Sequence, residues 1–114
     1  MESVKLYKEN SVEAAFEKAK VEARDFTFKT AGENVMIYPC GFAWVTYKAR
    51  KNDVFGSILK DRGLMDWDPY EKRFKYWVGE FNQSMSHKEV FAEKFAELLT
   101  TVFGVTFSYG SRMD

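Results

Sequence analysis

The segment SHKEVFAEKFAELLTTVFG, residues 86–104, restricts the fold more than any other part of the chain. Ser86 and Glu89 make a capping-box pair, and Phe91, Phe95, Leu98, Leu99 and Val102 recur at helical spacing. Gly104 then supplies a stop. A helix with one apolar stripe has to bury that stripe against another element. The chain offers it two stretches of strand character, FAWVTYKA at 42–49 and RFKYWVGEF at 73–81, in which successive side chains point to opposite faces.

The remaining elements follow in order. Asn10 or Ser11 can cap a helix over about residues 11–24, with Val12, Phe16, Ala19 and Ala23 inward and Glu13, Glu17, Lys18 and Lys20 outward. From Asp25 the period reads as two: Phe26 and Phe28 alternate with Thr27 and Lys29, AGEN at 31–34 signals a turn, and VMIY follows. Pro39, Cys40 and Gly41 break the chain before the strand at 42. Asn52 or Asp53 can cap a short helix to about Arg62 that buries Val54, Phe55, Ile58 and Leu59 and stops at a left-handed Gly63. LMDWDPYE reads as a polar loop, VTFSY at 105–109 as a last strand, and GSRMD as a polar tail. The economical architecture is an α+β two-layer sandwich: a small, mostly antiparallel sheet of three to five strands, with about three helices packed on one face.

Residues 1–114 suit a single domain, and 46% hydrophobic residues can fill its core without metal or disulfide support. Aromatic residues make up 18%, more than one core would readily hide, so some rings should reach the surface. Seventeen basic and seventeen acidic side chains cancel, which removes any bulk attraction to nucleic acid and leaves only a local patch to provide it. No apolar run approaches the roughly 20 residues of a membrane span, the first residues lack a secretory pattern, and one cysteine cannot form an internal disulfide. The expectation is an intracellular protein without membrane attachment.

Three groups of residues can carry chemistry. One face of the central strands carries Trp44, Lys48 and Arg50 beside Lys75 and Trp77. That combination of stacking surfaces and cations suits a planar, anionic, nucleotide-like ligand. The competing expectation puts both tryptophans in the core beneath the helices. In the tail, Ser111 and the Arg112 fork can close on an anion. Cys40 and His87, each the only residue of its kind, are weak candidates for a nucleophile and base, and together they fall short of the ligands a metal needs. Asp61, Asp66, Asp68 and Glu71 form an acidic segment that matches no calcium loop. No glycine-rich phosphate cradle is present, and no cofactor is implied.

Pro39-Cys40-Gly41-Phe42-Ala43-Trp44-Val45, the Gln83-Ser84-Met85 entry to a Lys88-containing helix with Phe95-Ala96-Glu97-Leu98, and the closing Gly110-Ser111-Arg112-Met113-Asp114 resemble small proteins of unknown function from tailed bacteriophages. The resemblance covers roughly residues 39–114 and brings no activity, cofactor or catalytic residue with it. It implies a viral protein in the host cytoplasm that acts by binding, for host takeover or counter-defence, on a host protein or a small anionic ligand. A homo-oligomer remains open. The alternatives are a small enzyme using Cys40 or an acidic metal site, and a structural or assembly protein of the virion.

Overall fold

The computed structural model describes residues 9–31, 41–79 and 85–113. The elements run α1 (Glu9–Ala31), β1 (Gly41–Tyr47), α2 (Val54–Asp61), β2 (Asp66–Asp68), β3 (Arg73–Trp77), α3 (Met85–Phe103) and β4 (Phe107–Met113). All pairings are antiparallel and the strand order is β2-β3-β1-β4. The helices lie on one face of this sheet, giving the expected α+β sandwich.

The side of the sheet that meets the helices follows from β1. Ala43, Val45 and Tyr47 are buried there beside Phe74 of β3 and Phe107 of β4. Phe95 of α3 meets Phe16 of α1 at 5.0 Å and Tyr76 of β3 at 5.5 Å, edge to face, which ties both long helices to one sheet. Phe55 of α2 joins through Tyr47 and Phe103, at 5.5 and 4.9 Å. This aromatic layer forms the centre of the core, where offset and edge contacts are favoured over parallel sandwiches.

Helix α2 ends as its sequence requires. Asp53 caps it, accepting from the Gly56 amide, and Gly63 takes φ of 72°. The Gly63 amide donates to the Lys60 carbonyl and the Leu64 amide to that of Leu59, the paired bonds of a Schellman stop. Val54 departs from expectation: as the first helical residue it points into solvent and is 76% exposed. Helix α3 ends at Gly104, also left-handed. It begins at Met85, so Ser86 lies inside the first turn and not at the cap position.

Three further assignments are corrected. Residues 25–31 continue α1 and do not form a strand, because Thr27 extends the stripe of Val12, Phe16, Ala19 and Ala23 at helical spacing. Its hydroxyl donates to the Ala23 carbonyl at 2.7 Å, which lets a polar residue sit in the core. Asn10 and Ser11 accordingly lie within the helix. The DWD of the supposed loop is a short edge strand, β2, paired with β3. The closing GSRM is the second half of β4, in register with β1 as far as Met113 opposite Gly41. The turn at 31–34, the VMIY segment and the Pro39-Cys40 break extend outside the described residues.

Between β2 and β3, the Asp68 carboxylate accepts from the Tyr70 and Glu71 amides, and the Lys72 amide closes on the Asp68 carbonyl. Lys72 is the one non-glycine residue at positive φ among the described residues, at 56°. A side chain in that region costs about 1–2 kcal/mol, partly offset by the flexibility a glycine adds to the unfolded chain. Lys72→Gly is therefore expected to raise stability by about 0.5–1 kcal/mol, read as a higher urea midpoint at unchanged slope. A lower midpoint would contradict this account of the turn.

Candidate functional site

Strand alternation places Phe42, Trp44, Lys75 and Trp77 on the face of the sheet opposite the helices, so the tryptophans do not lie beneath them. Trp44 and Trp77 are directly paired across β1 and β3, with ring centroids 5.1 Å apart. Phe42 meets Trp77 edge-on at 6.3 Å, and the Arg112 guanidinium lies 5.6 Å from the Phe42 ring. Trp77 remains 50% exposed, while Trp44 is half-buried.

Trp44 lies close over its other neighbour in the sheet, Gly110 of β4. A Cβ on Gly110 would sit 2.6 Å from the indole nitrogen and 2.7–2.8 Å from two ring carbons, closer than packed atoms allow. Glycine there lets the ring lie flat on the backbone. The Lys75 ammonium fills the space beneath the pair, 5.1 Å from the Trp44 ring and 5.4 Å from that of Trp77. It is almost fully buried and is bound by Asp68 and Glu71, each at 3.1 Å. Two carboxylates already answer its charge, so Lys75 holds the indoles in place and is not free to bind a ligand anion.

The other candidates separate. Ser111 faces the helices, where its hydroxyl donates to Glu89 of α3, while Arg112, its neighbour in the strand, faces the tryptophan side. Lys48 and Arg50 follow the end of β1 and leave the sheet. With Ala49, Lys51, Trp67 and Lys72 they line a separate cleft of about 610 Å³. His87 is fully buried in α3 and sits 6.3 Å from the Phe28 ring. Cys40 lies outside the described residues. Asp68 and Glu71 serve the Lys75 network, and no group of three or more His, Cys, Asp or Glu among the described residues is placed to hold a metal ion. No described helix is long and apolar enough to cross a membrane.

Phe42, Lys51, Trp67 and Lys72 belong to these surfaces without having been singled out from the sequence. The alternation that carries Trp44 already sets Phe42 on the same face, though not as a site residue. Trp67 could not be placed in this way, because three residues of β2 are too few to show a period. Comparisons with protein-family profiles, with curated proteins and with solved structures return no match, so the arrangement rests on its own geometry.

The backbone amide of Glu71 is the main influence holding the Asp68 carboxyl below its ordinary value of 3.8, with the Lys75 ammonium next. A depressed carboxylate adds stability that is fully present above the unfolded pKa and is lost as pH falls through the lower folded value. Asp68→Asn keeps an acceptor for the turn amides and removes the charge. It is expected to flatten the dependence of stability on pH below about 4, measured by urea unfolding across the acid range. An unchanged slope would dissociate Asp68 from the network. Gly110→Ala is expected to displace the Trp44 ring and cost about 1–3 kcal/mol. The circular-dichroism couplet of the tryptophan pair should weaken with it, and an intact couplet would contradict the close approach.

Proposed function

We propose that the protein acts by binding, and that the face formed by Phe42, Trp44 and Trp77, with Arg112 at its rim, receives a protein partner. The observation that carries this reading is the half-exposed Trp77, held against Trp44 on a sheet face that no described helix covers. Tryptophan and arginine are the residue types that most often dominate protein interfaces, where an anchored ring gains contact area at little entropic cost. The Lys75 network supplies that anchoring before any partner arrives. Burial of His87 in the core favours this role over a Cys40/His87 enzyme.

The resemblance to tailed-phage proteins supplies the kind of partner: a component of the infected bacterium, in its cytoplasm, blocked or sequestered for host takeover or counter-defence. The test is in two parts. A photo-crosslinking residue at Arg112 should capture one host protein, and that protein, purified, should bind the wild-type chain. Trp77→Ala should then weaken the complex by about 2 kcal/mol or more, roughly 30-fold in Kd, while Lys51→Ala leaves it unchanged. Equal binding by wild type and Trp77→Ala would reject this surface. A Trp77-dependent dimer in sedimentation would assign the face to a second copy of the chain.

A further inference from the structure

The cleft beside residues 48–51 lies apart from the tryptophan pair and has a different character. Four of its six lining residues are cationic, Lys48, Arg50, Lys51 and Lys72, which line it with their aliphatic stems and carry their charges at its solvent-exposed rim, and its wall is the Trp67 indole with Ala49. We propose that this cleft binds a nucleoside di- or triphosphate, with Trp67 against the base and the four cations around the phosphates. A volume of about 610 Å³ suits a small ligand. An aromatic wall offers any base a stacking face, and a concentration of cations selects a polyanion.

Three observations support the assignment. First, none of the four cations has a carboxylate within ion-pair distance among the described residues, whereas Lys20, Arg62, Arg73 and Lys94 each have at least one and Lys75 has two. In a chain with equal numbers of acids and bases, that leaves a local positive excess.

Second, three nearby acids are already engaged. Asp53 accepts from the Tyr47 hydroxyl at 3.0 Å and the Gly56 amide at 2.9 Å, while Asp68 and Glu71 bind Lys75. Burial, and then the bond to Asp53, raises the Tyr47 phenol above its ordinary pKa, so this hydroxyl keeps its proton and stays on Asp53 at any physiological pH.

Third, Lys72 occupies a left-handed backbone position that glycine would fill at lower cost. A side chain kept where the backbone disfavours it points to a use for that side chain. Both flanks of the cleft are fixed by turns, the Asp53 amide donating to the Arg50 carbonyl at 2.9 Å and the Lys72 amide to the Asp68 carbonyl at 2.8 Å. Trp67 is braced edge-on by Phe74 at 5.0 Å. The backbone that carries Arg50 and Lys72, and the Trp67 ring, are therefore already in place when a ligand arrives.

Calorimetric titration of the full chain with adenosine and uridine triphosphates, inorganic triphosphate and a single-stranded oligonucleotide tests the assignment. Both nucleotides should bind, roughly tenfold more tightly than inorganic triphosphate because only they stack, and raised salt should weaken all of them. Arg50→Ala and Lys72→Gly should each weaken binding about fivefold or more. Because Lys72→Gly is expected to stabilise the fold, its loss of binding cannot be assigned to unfolding. Trp67→Leu should bring nucleotides down to the level of inorganic triphosphate, and Trp67→Phe should restore part of the difference. Lys18→Ala, on the exposed side of α1, should change nothing, which separates the cleft from general surface charge. The assignment is overturned if no nucleotide binds, if inorganic triphosphate binds as well as nucleotides, or if the oligonucleotide alone binds.

Discussion

Strand β1 is hydrogen-bonded along both edges, to β3 on one side and to the whole of β4 on the other, and every other feature of the molecule is placed relative to it. Because side chains alternate along a strand, this double pairing sorts residues from three strands at once. Ala43, Val45 and Tyr47 go to the helices together with Phe74, Tyr76 and Phe107, and Phe42 and Trp44 go to the other side with Lys75 and Trp77. A slip of one residue between β1 and β3 would turn one of the two strands over, and were it β3 the helices would face the Lys75 ammonium. The aromatic core and the tryptophan face are thus products of one register.

The burial of Lys75 shows how the second face is kept in order. Removing an ammonium from water is costly unless it is answered by charge and hydrogen bonds, and here two carboxylates and two ring faces answer it. Asp68 also holds the turn amides, so the β2–β3 turn, the ion pairs and the indoles form one connected unit. Removing Lys75 would take the shared cation from both carboxylates and the support from both rings, so these contacts would be lost together. The same unit sets Lys72 at the margin of the basic cleft, so the two candidate surfaces share a structural support while differing in chemistry.

Much of this was legible in the residues. The stripe and stop of α3, the cap and glycine stop of α2 and the alternation of β1 and β3 were visible because each repeats a signal over several positions. Residues 25–31 were misread because FTFK alternates locally, whereas the helical stripe becomes visible only when Thr27 is counted as an inward residue satisfied by its own helix. The partition of the tryptophan strand into two surfaces was not legible. It depends on β1 ending at Tyr47, just before Lys48, and on Lys75 being claimed by acids from a neighbouring turn. Both are tertiary facts. The tail was underrated for a related reason: its hold on the sheet comes from β1, some 70 positions earlier in the chain, and not from any property of GSRM itself.

The strand order leaves the sheet with two unequal borders. At one, β2 is three residues long, carries Asp66 and Asp68 and is followed directly by Pro69, all of which discourage a foreign strand from pairing there. At the other, β4 runs for seven residues, and its outer backbone groups have no strand partner among the described residues. Any intermolecular β-pairing involving the described sheet would therefore be directed to the β4 border, where serines and Arg112 supply what protection against aggregation there is.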